Sequence, residues 1–427
     1  MIDLAALSAG LENCSCGKAH RFDIKAVEIS SGATEKLGKI LTDLAFPKKL
    51  SVTADENTLA ASPGVLENLA QWGFEITLTK FTDLRLSDEA AANRVAEDVE
   101  KGGCGALLSV GTGSLNDICR WNAAKLGLPF AIFATAPSMD GFASGVAPIT
   151  VNGFKRTYPA KAPEAIIADT KILAKSPAEL KAAGLGDLLG KYTAHADWVI
   201  SSALTGEYYC EKVASLTMDS VERAAALARS GDTCSEEFSG ALMEALVISG
   251  LAMQLCGNSR PASGAEHHLA HFWEMQYELR GLPPVFHGKK VGVAAGIVAD
   301  IYRGMAELPE YAECRRPFDE AAVSGAYGPL WAEAVKENVP NPLDEVPCGA
   351  IEKNADALRA ALRSVPAGEE IRALLRACGG ADTCEACGIS EELRLAAVKF
   401  GKYVRRRLTA MKLTDLLVIE GGVEKWL

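Results

Sequence analysis

Ala106-Leu-Leu-Ser-Val-Gly-Thr-Gly-Ser-Leu-Asn-Asp117 carries the decisive fold signal of the chain. Its first five residues form a short, mostly apolar run closed by glycine, which reads as a buried strand. Two glycines follow, and residues 115–126 then take up a helical pattern. A strand that passes through a glycine turn into a helix opens a parallel β-α-β unit. Working outward, residues 49–54, 74–79, 130–134 and 164–168 read as further strands, and residues 87–101 as another helix. Residues 149–151 and 155–158, turning at Asn152-Gly153, suggest a hairpin. From about Ser176 the pattern changes to segments rich in Ala, Leu, Glu and Arg, among them 235–256, 265–280 and 289–305. The expected fold class is an α/β, Rossmann-like nucleotide-binding domain over residues 1–170 and an all-α domain over 171–427.

The chain has 427 residues, 48% hydrophobic and 23% charged, a globular composition with length enough for two domains. A formal net charge of −11 argues against nucleic acid or an anionic membrane as the main partner. A small anionic substrate stays compatible, because a local basic pocket can sit in an acidic envelope. The start, Met1-Ile-Asp-Leu-Ala-Ala-Leu7, lacks the basic-then-apolar form of a signal peptide. No apolar run is expected to span a bilayer, so a cytoplasmic location is expected. Twelve cysteines without an export signal read as thiols behaving as small hydrophobes. Cys14-Ser-Cys16-Gly-Lys-Ala-His20 and Cys378 with Cys384-Glu-Ala-Cys387 are clustered enough to contribute to structural zinc, and Cys384/Cys387 to redox chemistry. Neither forms a paired CxxC array at finger spacing, so both stay outside the expected active site.

Four of the six histidines crowd into Gly264-Ala-Glu-His-His-Leu-Ala-His271 and Phe286-His287-Gly288. His267 and His271 are four apart and share a helix face. His268 competes with His267, since it too stands at helical spacing from His271. His287 follows Gly281-Leu-Pro-Pro284, which stops the helix and lets the chain return. Asp187, in Gly184-Leu-Gly-Asp-Leu-Leu-Gly-Lys191, is the candidate hard ligand. Two imidazoles, a carboxylate and an open position suit a catalytic divalent metal, typically zinc. The plainer reading is a helical histidine pair that is only core or surface. The Gly111–Leu115 turn could equally be plain packing or a phosphate cradle at a helix start. It departs from the G-x-G-x-x-G pattern, having Asn116 where that pattern has its last glycine. A second polar loop, Thr135-Ala-Pro-Ser138-Met-Asp140-Gly-Phe-Ala-Ser144, follows the next strand and strengthens the nucleotide reading. Asp55, ending a strand, reads as a turn aspartate rather than a ribose ligand.

Together these pieces resemble the glycerol-1-phosphate dehydrogenases, within the iron-containing alcohol dehydrogenase and dehydroquinate synthase superfamily. The resemblance rests on Gly111-Thr-Gly-Ser-Leu-Asn-Asp117, the 135–144 loop, Gly186-Asp-Leu-Leu-Gly-Lys-Tyr-Thr-Ala194, Glu266-His-His-Leu-Ala-His271 and His287-Gly-Lys-Lys-Val291. It implies a dehydroquinate-synthase-like fold and an NAD(P)-linked enzyme interconverting sn-glycerol 1-phosphate and dihydroxyacetone phosphate. It implies a single divalent ion, zinc first, with nickel or iron as alternatives, on Asp187, His267 and His287. By resemblance His271, Asp140 and Asp187 contact substrate and take part in catalysis. Gly111, Thr112, Gly113, Ser114, Leu115, Thr135, Ala136, Pro137, Ser138 and Ser144 match cofactor contacts. Ala136-Pro137 departs from the family's usual Ser-Ala. Lys191, Lys155 and Lys289 are nominated for the substrate phosphate, and a homo-oligomer, dimer or larger, is expected. Rival readings are a glycerol or other polyol dehydrogenase, a dehydroquinate-synthase-like lyase, and a non-catalytic binding protein of the same fold.

Overall fold

The computed structural model describes residues 2–151, 154–315 and 318–427, apart from the side chains of Phe154 and Lys155. Its strands are β1 (Ala26–Ser30), β2 (Lys49–Asp55), β3 (Glu75–Phe81), β4 (Ala106–Gly111), β5 (Phe130–Ala134), β6 (Val146–Val151), β7 (Phe154–Pro159) and β8 (Ala165–Asp169). Six form one sheet in the order β1-β8-β5-β4-β2-β3, every pairing parallel. β6 and β7 form a separate antiparallel pair. The turn expected at Asn152-Gly153 lies outside the described residues.

The strand sequences reflect their places. β4, β5 and β8 are buried along their whole length, which is why they read as mostly apolar runs without polar alternation. Edge strand β3 is partly exposed. β1 went unread because it is a short edge strand with a glutamate at its centre. There Glu28 pairs with Lys36 at 2.7 Å.

The strand order reverses between β2 and β4. The chain leaves β2 for the β3 edge and leaves β4 for β5 on the other side. Loops that part in this way open a crevice at the carboxyl ends of the strands, where ligands of such sheets bind. A cavity of about 860 Å³ lies at these ends, its lining including Thr34, Thr58, Thr135, Ala136, Asp169 and Lys171.

Beyond Asp169 the described residues contain helices and turns but no strand. The long helices are Ala178–Thr205, Glu211–Arg229, Glu236–Cys256, Ala265–Leu279 and His287–Ala306. The chain divides into two compact units, Met1–Gly184 with Glu222–Gly257, and Leu185–Val221 with Asn258–Leu427. This partition differs from a single cut at 170/171, because the Glu236–Cys256 helix packs on the Thr170–Lys175 helix and on β1 within the first unit. That helix also corrects one expectation. With a mean hydropathy of 1.5 it is long and apolar enough to cross a membrane, yet 78% of its apolar window is buried in the protein. No disulfide joins the described cysteines.

Candidate metal centre

Glycine sets the position of Asp187. The Ala178–Thr205 helix contains Gly186 and Gly190, four apart and therefore on one face. A Cβ on Gly186 would stand 2.4 Å from the Gly288 carbonyl oxygen, and one on Gly190 would stand 2.9 Å from Val291 Cγ1 and 3.0 Å from Glu266 Cγ. Only bare backbone allows this approach to the His287–Ala306 helix, and it carries Asp187 to the first turn of that helix, where His287 sits. The Ala265–Leu279 helix supplies His267 and His271. Its start is fixed by Asp197, which accepts bonds from the Ala265 N–H at 2.8 Å, the Ala410 N–H at 2.7 Å and the Tyr302 hydroxyl.

One ligand atom each from Asp187, His267 and His287 falls within a 4.8 Å group. His267 Nε2 lies 3.5 Å from Asp187 Oδ1, and the His267 and His287 ring centroids are 5.2 Å apart. The His271 ring stacks on His287 at 5.4 Å. Each ring is held from behind by a carboxylate. Glu266 Oε1 accepts from His267 Nδ1 at 2.7 Å, Glu274 Oε2 from His271 Nδ1 at 2.9 Å, and Glu274 Oε1 from His287 Nδ1 at 3.0 Å. An ionised carboxylate only accepts, so Nδ1 carries the proton in each ring and Nε2 is left to bind a metal or take a proton. His271, Glu274 and His287 also converge within 4.8 Å, but there the carboxylate meets Nδ1 atoms. The donor set therefore fits a divalent ion on Asp187, His267 and His287.

The charges agree with this arrangement. Burial opposes ionisation of Asp187, but Lys191, His267 and His287 outweigh it and hold the carboxyl well below its usual range. Burial likewise pulls His267 down, while its bonds to Asp187 and Glu266 raise it to about 9. Burial dominates at His271 and pushes it down against the pull of Glu274, so its ring is neutral near pH 7. Burial opposes ionisation of Glu274, and Lys290 with the two histidines overcomes it. His268, the competing reading, is buried elsewhere with neither ring nitrogen hydrogen-bonded.

The loops expected to bind a cofactor belong to the first unit. Gly111 closes β4 and Ala134 closes its neighbour β5, so the two loops emerge side by side. Thr112 Oγ1 and Ser138 Oγ are 2.5 Å apart and tie them together. Gly113 has φ +47° and ψ −116° at the start of the Ser114–Leu126 helix, a conformation that favours glycine, and no atom lies within 4 Å of where its Cβ would be. Ser114 donates to the Arg85 carbonyl at 3.2 Å, and Leu115, Ala136 and Ser138 are buried. Ser144 lies in the stretch gripped by Arg120, a fully buried cation donating to the Ser144 carbonyl at 3.0 Å and the Phe142 carbonyl at 3.3 Å. Asp140 accepts from Ser249 at 3.1 Å. Asp55 is a helix cap, accepting from the Thr58 N–H at 2.8 Å.

Among the phosphate nominees, Lys191 is fully buried and lies 3.2 Å from Asp187, which engages it in the candidate metal centre. Lys289 stands half-buried in the first turn of the His287–Ala306 helix, and the Lys155 side chain lies outside the described residues. Sequence reasoning missed Glu274, Lys290 and Arg120. Glu274 did carry a signal, standing three residues after His271 on the same helix face.

A model of the iron-containing alcohol dehydrogenase family matches residues 28–177. A glycerol-1-phosphate dehydrogenase [NAD(P)+] of Geobacillus stearothermophilus is 32% identical over 420 residues, covering 95% of this chain and 96% of the relative. The chain belongs to the glycerol-1-phosphate dehydrogenase family. Another member, from Sulfurisphaera tokodaii, is 36% identical over 238 residues, covering 56% of this chain and 65% of its own. Solved structures share the fold at lower identity. The NADH-dependent butanol dehydrogenase A of Thermotoga maritima superposes with TM-score 0.59 at 15% identity, covering 96% of this chain and 98% of that one. An iron-containing alcohol dehydrogenase of Corynebacterium glutamicum gives 0.62 at 15%, covering 96% and 95%. In this glycerol-1-phosphate dehydrogenase family member the expected α/β and all-α halves are both present.

Proposed function

We propose that the chain is a metal-dependent, NAD(P)-linked oxidoreductase interconverting sn-glycerol 1-phosphate and dihydroxyacetone phosphate. The observation that carries this reading is the convergence of Asp187, His267 and His287 with each imidazole oriented through Nδ1. The relatives' printed activity supplies the substrate and cofactor class. Residues 1–170 are assigned the nucleotide and residues 171–427 the metal and the chemistry.

When bound, a divalent ion supplies Lewis acidity toward the substrate's C2 oxygen, and the nicotinamide supplies or takes the hydride. Asp187, His267 and His287 hold the ion. Zinc is the first expectation for that ion, and these nitrogen and oxygen donors also suit nickel or iron. Glu266 and Glu274 fix the ring tautomers, which keeps the Nε2 lone pairs aimed inward. His271 is neutral and donates Nδ1–H to Glu274, so its Nε2 accepts the hydroxyl proton in oxidation and returns it in reduction. Asp140, positioned by Ser249, binds substrate hydroxyl, and Asp187 also approaches the substrate. Gly111, Thr112, Gly113, Ser114 and Leu115 present a helix start to the cofactor pyrophosphate. Thr135, Ala136, Pro137, Ser138 and Ser144 line the rest of the cofactor path. A cytoplasmic homo-oligomer completes the reading. The test is metal analysis with turnover: one equivalent of divalent ion per chain at the Asp187 centre and NAD(P)H oxidation by dihydroxyacetone phosphate, with both that equivalent and turnover lost in His287→Ala. Full metal content in that variant contradicts the ligand assignment.

A further inference from the structure

Residues 12–25 contain neither helix nor strand, and they link the Leu4–Leu11 helix to β1. Such a segment needs anchors, and this one has them at the last turn of the Glu236–Cys256 helix. The Asp23 N–H donates to Gln254 Oε1 at 2.9 Å. His20 Nδ1 lies 2.8 Å from the Leu255 carbonyl oxygen. A carbonyl only accepts, so Nδ1 carries the ring proton and Nε2 is the lone-pair nitrogen. That nitrogen points at sulfur, with Cys16 Sγ 3.2 Å away. Cys14 reaches the same place because the chain turns sharply. Gly17 adopts φ +78°, and its N–H bonds to the Cys14 carbonyl at 3.2 Å. The donor atoms of Cys14, Cys16 and His20 lie within 4.8 Å of one another.

We propose that Cys14, Cys16 and His20 form a second metal site, structural and thiolate-rich, suited to zinc and separate from the Asp187 centre. Zinc binds sulfur at about 2.3 Å and imidazole nitrogen at about 2.0 Å, so the donors of one tetrahedron stand roughly 4 Å or less apart. The three atoms need only small shifts to meet that spacing. A ligating imidazole characteristically donates its other N–H to a carbonyl or carboxylate, and the Leu255 carbonyl takes that part. Three ligands leave one tetrahedral position for a further donor, water or thiolate. Thiolates at the site disfavour magnesium or calcium, which take oxygen donors. The ion pins an irregular segment where little apolar packing holds it, as metals do in regions with small cores.

Cobalt(II) separates the two sites, since only thiolate ligands give an intense near-ultraviolet sulfur-to-cobalt band. Apo-protein titrated with cobalt(II) is expected to bind two equivalents, with that band saturating at one. His287→Ala should keep the band and lose the other equivalent. Cys14→Ser/Cys16→Ser should lose the band and one equivalent, melt at lower temperature, and still oxidise NAD(P)H with substrate. If the double variant fails to fold, X-ray absorption of the zinc-loaded wild-type protein decides, with sulfur scatterers expected around half of the zinc. No charge-transfer band in wild type, a band that survives the double substitution, zinc without sulfur neighbours, or a Cys14–Cys16 disulfide in freshly purified protein each overturns the proposal.

Discussion

Glu274 is the side chain on which the proposed metal centre turns, because one carboxylate orients two imidazoles and is itself held by Lys290 at 3.1 Å. Glu274→Gln keeps the shape but replaces one accepting oxygen with a donor, which frees a ring to rotate. Metal affinity should fall about 10- to 100-fold, read by chelator competition; an unchanged affinity would remove Glu274 from the site. Protons compete for the same centre. In the metal-free protein His267 is raised to about 9, so it is cationic at neutral pH and must lose that proton to bind an ion. Apparent affinity should therefore rise with pH, by about tenfold per unit below pH 9 for this one group, and flatten above it. A pH-independent affinity between about pH 6 and 8 contradicts the Nε2 assignment. At this scale the sequence was partly legible. Spacing found His267, His271 and His287, but it could not choose His267 over His268 without the family resemblance. That both carboxylates bind Nδ1 depends on ring orientation, which spacing does not carry.

The decisive element is the Ala178–Thr205 helix. Its Gly184, Gly186 and Gly190 lower helix propensity. Packing reverses that preference, since the helix comes close to the His287–Ala306 helix only where side chains are absent. Gly186→Ala should overpack this contact by about 1–3 kcal/mol and also weaken metal binding, because Asp187 moves with the backbone. Denaturant unfolding and metal titration check both, and a variant of wild-type stability and affinity refutes the close approach. Gly113 tests the other half. A valine there meets no atom with its Cβ but must adopt a left-handed φ, a strain of about 1–3 kcal/mol, at the point where phosphate is expected. Cofactor affinity should fall about tenfold or more while metal content stays unchanged. NAD(H) and NADP(H) binding unchanged from wild type in the folded variant moves the cofactor elsewhere. β4 and β5 were legible because buried parallel strands are nearly continuous in apolar residues. β1 was not, because its centre is Glu28.

For the whole molecule, composition and pattern give an α/β half and a helical half, and relatives of 32% identity over nearly the whole chain place it in one family. Neither the composition nor the fold gives the substrate, because the same architecture serves alcohol and butanol dehydrogenases. The substrate claim depends on side chains at the two sites. Asp140→Ala removes one hydrogen bond from a charged group to substrate, about 2 kcal/mol or roughly thirtyfold in kcat/KM, with cofactor binding retained; a fully active variant would exclude Asp140 from the substrate site. The most direct test of the central claim is NAD(P)H oxidation by dihydroxyacetone phosphate and by dihydroxyacetone at equal concentration, followed by chiral analysis of the product. A site built for a phosphorylated substrate loses charge-assisted bonds when the phosphate is absent, so the phosphorylated ketone should react far faster and yield the 1-phosphate enantiomer. Comparable rates for the two ketones would make the protein a polyol dehydrogenase, and the 3-phosphate enantiomer would contradict the proposed activity outright.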